Sequence, residues 1–277
     1  MEPTWTSSDG RHVIYHGDCL EVLLALEPGS VECIVTSPPY NQMSVISESP
    51  SGMWADSHGG AGFTRMWNEF GYQDDMDELE YQSWQNAIFA EAIRAVTESG
   101  SLFYNHQVRW REGTILHPVL WFRPEGWALR EEIIWDRGGG MMLNARMFCR
   151  FDERVLWFDK GMHKWNQQST CHGTIWRIAR HQQQQGKSHP LQFPLEIPLR
   201  CILAITDVGD VVADPFMGSG TTGVACIRTG RRFVGIEIER RYVDIAIRRL
   251  ERELAQARLP FDEQDPQPVQ AALWEEK

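Results

Sequence analysis

The chain has 277 residues, of which 42% are hydrophobic and 23% are charged, and its net charge is −11. No apolar run is long enough to span a membrane and no signal peptide is visible, which predicts a cytoplasmic protein without membrane contact. The six cysteines form no Cys-x-x-Cys pair, so we expect reduced thiols, no structural zinc site and no metal requirement.

The charge is unevenly distributed along the chain. Residues 137–187 contain nine basic and three acidic residues, a local charge of +6 that leaves −17 for the rest of the chain. A basic segment within an acidic protein could bind nucleic-acid phosphates while the remainder repels them. The alternative is a solvated loop whose charge has no functional meaning.

A strand–helix–strand unit opens the chain. The patterns predict a strand over His12–His16, a helix over Leu20–Leu26 and a buried strand over Val31–Val35. This order predicts a parallel sheet with binding residues at the carboxyl ends of its strands. Asp18 lies at one such end, where it could also cap the following helix.

The second of these strands runs directly into the sequence Val-Thr-Ser-Pro-Pro-Tyr-Asn, residues 35–41. Its two prolines end the strand because neither can donate to a sheet ladder. Ser37 offers a hydroxyl, Pro38 a carbonyl and Tyr40 an aromatic face. Two acceptors beside a flat ring suit a planar group that carries an NH2, such as a nucleobase amine. An ordinary surface turn is the alternative interpretation.

The middle of the chain begins with a long, polar, glycine-rich stretch, residues 42–76, that has no secondary-structure period. A loop of this length is usually functional or disordered, and here it could close over a base or contact DNA. Periodicity then predicts a helix over Asp77–Val96, a strand over Ser101–Asn105, a helix over Val108–Phe122 weakened at Pro118, and strands over Trp127–Trp135 and Arg154–Phe158.

Residues 160–188 break this pattern. They combine tryptophans, four consecutive glutamines and several basic residues. Amide and guanidinium groups are the usual readers of base edges, and basic side chains contact phosphates. We predict that DNA is contacted by Arg146, Lys164, Arg177, Arg180 and Lys187. A polar insertion with a low-complexity glutamine tract is the alternative.

A second motif, Asp-Pro-Phe-Met-Gly-Ser-Gly-Thr-Thr-Gly over residues 214–223, lies between predicted strands Val211–Ala213 and Phe233–Ile238. Its glycines allow the backbone to approach a ligand, and no lysine follows them, so the loop is not a phosphate-binding P-loop. Glu237 is placed to hold two ribose hydroxyls, as acids do in nucleotide-binding folds. Helices are predicted over Leu195–Thr206 and Glu239–Ala257, and an acidic tail follows.

The two motifs together resemble the motif pair of S-adenosylmethionine-dependent amino methyltransferases that act on DNA. The Ser-Pro-Pro-Tyr turn precedes the glycine loop, as in the beta group of that family, and the resemblance covers roughly residues 11–255. It implies an α/β, Rossmann-like methyltransferase fold with a mainly parallel twisted sheet and an antiparallel terminal hairpin.

The resemblance also implies a domain layout. Residues 1–160 and 188–258 would form one catalytic domain, with a target-recognition insertion at 160–188, an active-site or DNA loop at 42–76 and a tail at 259–277. The sequence Ser-His-Pro-Leu-Gln-Phe-Pro resembles a family motif that more often reads His-Pro-Thr-Gln-Lys-Pro, so Leu191 and Phe193 depart from it.

The residues that match the family's motifs take the family's roles. The catalytic set would be Ser37, Pro38, Pro39 and Tyr40, and Asp18 would bind the adenine amine of the cofactor. The full cofactor-binding set would be Asp18, His189, Asp214, Pro215, Phe216, Gly218, Ser219, Gly220, Thr221 and Glu237. The implied cofactor is S-adenosylmethionine, the implied substrate is double-stranded DNA, and a homodimer is expected because a short recognition segment benefits from a second copy on a palindrome.

Several functions remain open at this point. Ser-Pro-Pro is commoner in cytosine-N4 enzymes of the family, whereas the Pro-Pro-Tyr-Asn form that Asn41 completes is familiar from beta-order adenine-N6 enzymes, which we favour slightly. An RNA or protein-glutamine methyltransferase is a rival, although those enzymes usually place the cofactor loop first. A catalytically inactive DNA-binding module is another, against which the intact motifs argue.

Overall fold

The computed structural model describes residues 1–41, 76–111, 113–139, 148, 150–179 and 194–257. Eleven strands occur among them: β1 Trp5–Thr6, β2 His12–His16, β3 Val31–Thr36, β4 Val96–His106, β5 Arg109–Arg111, β6 Thr114–Leu116, β7 Ala128–Asp136, β8 Asp152–Asp159, β9 Ile175–Arg177, β10 Val211–Asp214 and β11 Arg232–Glu237. The helices are α1 Cys19–Ala25, α2 Glu78–Ala95, α3 Pro118–Trp121, α4 Glu196–Ile205, α5 Thr221–Thr229 and α6 Arg240–Ala257, with a 3-10 helix at Gln167–His172.

Nine of the strands form one sheet in the order β1-β2-β11-β10-β3-β4-β8-β7-β9. The five strands from β2 to β4 are parallel to one another, and β8 runs antiparallel between β4 and β7. The predicted fold, a mainly parallel sheet with an antiparallel hairpin, is therefore confirmed. Since β8 is reversed, the amino end of β8 lies at the same edge as the carboxyl ends of the parallel strands.

Helices cover both faces of this sheet. Val35 and Val212 point to one face, where they pack in a cluster with residues of α4, α5 and α6. Their chain neighbours Ile34 and Ala213 point to the other face, among residues of α1 and α2. This alternation is the two-residue period of a strand, and it explains why β3 and β10 are apolar for most of their length: both of their faces are buried.

One predicted element is wrong. Val108–Phe122 was expected to be a helix, but it contains the antiparallel pair β5–β6 and the short helix α3. Gly113 has a φ of +76°, a left-handed conformation that suits the turn between the two strands. Pro118 has no N–H to continue a helix, and it stands instead at the start of α3, where His117 caps the helix through its ring nitrogen.

The segment from 160 to 179 joins the sheet rather than standing apart from it. β9 pairs in parallel with β7, and Trp135 lies opposite Trp176 in this ladder. Trp176 and Ile178 are buried against the main core. The described part of the predicted recognition segment therefore extends the catalytic sheet by one strand, and its role in recognition stays a prediction.

Candidate active site

The two sequence motifs meet at the carboxyl edge of the sheet. Strands β3 and β10, which end in the Ser-Pro-Pro-Tyr turn and the glycine loop, are parallel neighbours. The Thr36 hydroxyl donates to Asp214 Oδ1 at 2.8 Å, and both side chains are buried. Ser37 follows Thr36 directly, so the turn that would present an amine and the loop that would hold the cofactor start from hydrogen-bonded residues.

Asp214 holds the glycine loop together. Its carboxylate also accepts from the Thr222 hydroxyl at 2.7 Å and from the Phe216 backbone N–H at 3.1 Å. Burial raises the pKa of Asp214 to about 6, and these donors limit the rise. Through these three internal donors, Asp214 positions the loop, and its role in binding the cofactor stays a prediction.

Glu237 ends β11 on the other side of the loop. Its two oxygens accept from the backbone N–H groups of Gly218 and Glu239, each at 2.9 Å. Burial raises the pKa of Glu237 to about 7, which these two bonds partly oppose. Each carboxylate oxygen has a second lone pair, so the group retains acceptor capacity for the two hydroxyls of a ribose.

Asp18 caps α1, as expected, because its Oδ1 accepts from the backbone N–H of Leu20 at 2.8 Å and of Glu21 at 3.4 Å. Both bonds use Oδ1, and Oδ2 is therefore left to accept from an amine such as that of adenine. The N-cap and cofactor-binding roles of Asp18 are thus compatible.

Other residues of the glycine loop are held in place by hydrogen bonds from α6. Arg249 of α6 donates to the Ser219 carbonyl at 2.6 Å, to the Ser219 hydroxyl at 2.8 Å and to the Thr221 hydroxyl at 3.3 Å. Gly220 precedes α5 with a φ of +80°, and Gly218 also has a positive φ. The loop is therefore held in one conformation by contacts from the body of the protein.

An aromatic side chain closes one side of this loop. The Phe216 ring, which follows Pro215, packs edge-on against Trp84 with ring centroids 5.7 Å apart. Together with the acceptors on Asp18 and Glu237, this gives the loop chemistry that fits a nucleoside-containing cofactor. His189 lies outside the described residues.

The Ser-Pro-Pro-Tyr turn joins a polar cluster that the sequence did not reveal. Ser37 Oγ lies 2.8 Å from Tyr40 Oη, which donates to Glu153 Oε2 at 3.0 Å. Asn105 Nδ2 donates to Tyr40 Oη at 2.6 Å and to Glu153 Oε2 at 3.0 Å. Arg137 donates to Glu153 Oε1 at 3.1 Å, and the Glu153 side chain is only 1% exposed.

The sequence did not indicate a site role for Asn105, Glu153 or Arg137, although it carried a weak signal for two of them. Asn105 was the last residue of one predicted strand, and Glu153 directly preceded another. Polar residues at strand ends indicate a binding edge only if the strands are known to be neighbours. That β4 pairs with β8, and that β8 is antiparallel, becomes visible only in the structure.

A second set of contacts fixes the backbone of the turn. Tyr81 donates from its hydroxyl to the Pro39 carbonyl at 2.5 Å and lies 2.8 Å from His106 Nε2. Burial, with a further contribution from Arg109, holds the pKa of His106 well below its usual range. Because a carbonyl can only accept, the Nδ1–H of His106 donates to the Gln107 carbonyl at 2.7 Å. Pro38, whose carbonyl is the second predicted acceptor, is buried within this turn.

Asn41 has a structural task at the end of the turn. Its φ is +54°, a left-handed conformation that asparagine tolerates better than most residues. Its side chain donates to the Met76 carbonyl at 3.0 Å, and its own carbonyl accepts from Arg111 at 2.8 Å. The residue type at position 41 is thus explained by the backbone, independently of which base is bound.

Of the predicted DNA-contacting residues, two are described. Arg177 is exposed at the carboxyl end of β9, opposite Asp136 of β7. Lys164 donates to Asp207 at 3.0 Å and to Asp210 at 3.1 Å, so its charge is already matched. Arg146, Arg180 and Lys187, together with residues 42–75 of the predicted loop and the tail from 259 onwards, lie outside the described residues.

Comparison with known proteins decides the family. The profile of a family described as DNA methylase, N6_N4_Mtase, matches residues 31–248 of this chain. The chain belongs to this family. Its members are amino methyltransferases, as the two motifs suggested. The Ser-Pro-Pro-Tyr turn precedes the glycine loop in this chain, which is the order of the beta group.

Two relatives illustrate the similarity of this N6/N4 methyltransferase to named enzymes. The type II methyltransferase M.BglII of Bacillus subtilis is 29% identical over 84% of this chain and 67% of its own length. The type II methyltransferase M.Cfr9I of Citrobacter freundii is also 29% identical, over 87% of this chain and 88% of its own length.

Solved structures agree with the fold. The PvuII DNA methyltransferase, which is cytosine-N4-specific, superposes with a TM-score of 0.69 over 99% of this chain and 94% of its own, at 20% identity. A DNA modification methylase of Thermus thermophilus, named as a candidate and complexed with S-adenosyl-L-methionine, superposes with a TM-score of 0.58 over 87% of this chain and 93% of its own, at 26% identity. The cofactor of this family is S-adenosylmethionine.

Neither a metal site nor a membrane helix is found in the described part of the chain. No group of three or more His, Cys, Asp or Glu within the described ranges is arranged to hold a metal ion. Among the helices that the structure describes, none has the length and apolar character to cross a bilayer.

Proposed function

We propose that this N6/N4 methyltransferase methylates the exocyclic amine of a base that has been extruded from double-stranded DNA, with adenine N6 as the first candidate. The observation that carries the proposal is the hydrogen bond between Thr36 and Asp214. It ties the turn that would present the amine to the loop that would hold the methyl donor, so both can serve one reaction.

The residues of the turn would prepare the amine. An exocyclic amine is a poor nucleophile because its lone pair is conjugated with the ring. Ser37 Oγ and the Pro38 carbonyl can accept its two hydrogens, which favours a pyramidal nitrogen with a localised lone pair. S-adenosylmethionine, when bound, supplies a methyl group on a sulfonium. Because the displacement is direct, the contribution of this chain is positioning, with no covalent intermediate on the protein.

The extruded base needs a surface to stack on. Tyr40 is half-buried, and its ring packs against the ring of His106 with centroids 4.7 Å apart. Stacking on such a ring contributes about 1–3 kcal/mol per base. This is comparable with the few kcal/mol that extrusion of a base costs, so recognition contacts elsewhere on the duplex need to supply only a modest remainder.

The choice of base has two candidates. Asn41 completes the Pro-Pro-Tyr-Asn form associated with adenine-N6 enzymes, but the structure gives Asn41 a backbone role. Cytosine N4 is favoured by Ser37 and by the likeness to the cytosine-N4-specific PvuII enzyme. Adenine and cytosine present the same pattern, an amine beside a ring acceptor nitrogen, which the contacts of the turn would not distinguish.

Digestion of methylated DNA to nucleosides separates the two candidates: N4-methylcytosine without N6-methyladenine overturns the adenine assignment.

A duplex could be held along the edge of the sheet that carries the site. Arg177 lies at that edge, four strands from the end of β3 in the order β3-β4-β8-β7-β9. At about 4.8 Å per strand this is about 19 Å, close to the width of a duplex. A second subunit on a palindromic site would extend the surface, and the type II names of the relatives suit a sequence-specific modification enzyme of the cytoplasm.

The test is an acceptor assay. Purified protein receives S-adenosylmethionine labelled in its methyl group, together with duplex DNA, single-stranded RNA or a mixture of proteins. The proposal expects label in duplex DNA, and more than in the other acceptors. Label in RNA or protein with none in DNA supports the rival methyltransferase function, and cofactor binding without any transfer supports an inactive DNA-binding module.

A further inference from the structure

A chain of hydrogen-bonded oxygen atoms runs from the Ser-Pro-Pro-Tyr turn into the buried cluster behind it. Ser37, Tyr40 and Glu153 form a line of oxygen atoms, with 2.8 Å between Ser37 Oγ and Tyr40 Oη and 3.0 Å between Tyr40 Oη and Glu153 Oε2. The hydroxyl of Tyr40 donates to the carboxylate. The Ser37 hydroxyl can then donate to Tyr40. Asn105 Nδ2 donates to one lone pair of Ser37 Oγ at 3.3 Å, and the second lone pair can accept from an amine.

The proposed reaction creates a proton that must leave. When the amine nitrogen bonds to the methyl carbon, the carbon–sulfur bond breaks and the nitrogen becomes a cation with one hydrogen too many. This cation is a strong acid, because loss of the proton restores conjugation of the nitrogen lone pair with the ring. A carboxylate is therefore basic enough to take the proton, even one that is paired with a guanidinium.

Resting on the proposed function, we propose that Ser37, Tyr40 and Glu153 form the outlet for this proton. The nitrogen–hydrogen bond breaks toward Ser37 Oγ while the Ser37 proton moves to Tyr40 Oη and the Tyr40 proton moves to Glu153 Oε2. Both hydroxyls are regenerated, the methylated amine is neutral, and Glu153 holds one proton. The charge balance closes without any group from outside the chain.

The surroundings of Glu153 suit a carboxylate that is kept ready to accept. Arg137 binds Oε1 and leaves Oε2 to Tyr40 and Asn105. The side chain of Arg137 is 9% exposed and that of Glu153 1% exposed. A buried carboxylate of this kind is costly without its partners. Arg137 and Asn105 supply such partners, so the charge of Glu153 is stabilised at the place where the carboxylate faces Tyr40.

Two variants interrupt the outlet at different links. Tyr40→Phe keeps the ring for stacking and removes the middle hydroxyl, and Glu153→Gln keeps the shape and removes the acceptor. General acid–base groups typically contribute about 10²- to 10⁴-fold, so each variant is expected to lower the single-turnover rate by about 100-fold or more. Glu98→Gln, at an exposed carboxylate that pairs with Lys160 at 3.5 Å, is the matched control and should match the wild-type rate.

Three readouts separate proton transfer from packing. Binding of S-adenosylmethionine by calorimetry, and of duplex DNA with 2-aminopurine at the target position by fluorescence, should stay within about twofold of wild type. The double variant should be no slower than the slower single variant, because both break one outlet. With both substrates saturating, the wild-type single-turnover rate should be lower in D2O than in H2O, and Glu153→Gln should lose that solvent isotope effect.

The opposite results overturn the outlet. If either Tyr40→Phe or Glu153→Gln has the wild-type single-turnover rate, the proposed proton outlet is refuted. A solvent isotope effect that persists in Glu153→Gln, or rate losses that follow weaker binding of the base, assigns the cluster to positioning only. A wild-type protein that binds both substrates but transfers no methyl group to DNA refutes the proposed function, and the outlet with it. Intact transfer with unaffected variants refutes the outlet alone.

Discussion

At the scale of single residues, the site is dominated by two buried carboxylates with opposite duties. Asp214 accepts from three internal donors and holds the loop in place. Glu237 has one backbone donor on each oxygen and keeps capacity for a ligand. Burial raises the pKa of both, and each therefore makes a measurable prediction about pH.

Asp214 should make the protein less stable as the pH rises from 4 to 6. Its pKa is about 6 in the folded chain against an ordinary 3.8, so between these values the folded state holds a proton that the unfolded state has lost. The free energy of unfolding contributed by this group is thus full below about pH 4 and falls as the pH rises toward 6. Asp214→Asn should flatten this slope in urea unfolding curves.

The control for this experiment is Asp244→Asn, at a half-exposed carboxylate paired with Arg240. It should leave the pH dependence as in the wild type. Glu237 contributes a slope of the same sign up to about pH 7, so the flattening is expected to be partial. An Asp214→Asn protein with the full wild-type slope would contradict the assignment of a raised pKa to Asp214.

Glu237 should make cofactor binding pH-dependent. If its carboxylate accepts the ribose hydroxyls, the protonated form offers fewer acceptors, and affinity for S-adenosylmethionine should weaken as the pH falls below about 7. Because one proton is involved, the affinity can fall by at most about tenfold for each unit that the pH decreases. Glu237→Gln should bind more weakly at pH 8 and lose this dependence. Calorimetry between pH 6 and pH 8 measures both, and a flat wild-type affinity would remove Glu237 from the ribose site.

The sequence predicted the site residues of the two motifs, but not the residues of neighbouring strands that contact them. Ser37 and Tyr40 stand in a recognisable local pattern, as do the two carboxylates of the cofactor side. Asn105 does not, because it meets Ser37 only through the pairing of β3 with β4, across 68 positions of the chain. Glu153 is brought to Asn105 in the same way by β8, across 48 positions. The three hydrogen-bond donors to Asp214 could not be predicted either, because they are brought to it only by the folding of the chain.

At the scale of elements, the position of the glycine loop depends on the close packing of α5 against the sheet. A Cβ added to Gly223 would lie 2.8 Å and 2.9 Å from two ring carbons of Phe233 on β11, and 3.1 Å from Leu250 of α6. Real Cβ atoms do not approach ring carbons that closely. The helix that follows the cofactor loop can therefore sit where it does only with a glycine at this position.

Gly223→Ala should consequently destabilise the protein by about 1–3 kcal/mol, the usual cost of overpacking a core. It should also weaken cofactor binding, because α5 carries the end of the loop. Gly139→Ala is the matched control, since its Cβ would meet nothing within 4 Å and its backbone is not left-handed. Urea unfolding measures the difference, and equal midpoints for both variants would contradict the packing argument.

The sequence predicted the boundaries of β2, β3, α2, α4 and β10 within a few residues, but it did not predict β1, β5, β6 or β9. The failure at Val108–Phe122 has a physical cause. Arg109 and Arg111 both bind Glu78 of α2, at 2.7 Å and 3.1 Å, and this tertiary pairing holds the segment extended. A helical spacing of apolar residues cannot reveal that Arg109 has a partner 31 positions away.

At the scale of the whole molecule, the acidic chain must still bind a polyanion. The exposed Arg177 and the active turn share one edge of the sheet. The opposite edge carries the carboxyl end of α5, where Arg228 pairs with Glu253 at 2.6 Å. The predicted DNA-contacting residue Arg177 therefore lies at the opposite end of the sheet from the paired Arg228, a separation that the net charge of −11 does not reveal.

Arg177→Ala should weaken duplex binding and reduce the slope of log affinity against log salt by about 0.9, the value for one phosphate contact on B-DNA. Arg228→Ala, at the far edge, removes the same charge and should leave that slope unchanged. Fluorescence anisotropy across a salt series measures both. Equal losses for the two variants would show that only net charge matters, and unaltered binding for Arg177→Ala would move recognition to another part of the chain.

The most direct measurement of the whole account uses an S-adenosylmethionine analogue in which an aziridine replaces the sulfonium methyl, so that the analogue couples whole to the attacking atom. Mass spectrometry of digested DNA then identifies that atom. We expect one adduct, on the exocyclic nitrogen of adenine or cytosine, formed by the wild-type chain and lost in Ser37→Ala, which still binds the analogue. Coupling to a ring carbon or to the protein, or a bound analogue that couples to nothing on duplex DNA, would contradict a shared cavity for amine and methyl donor.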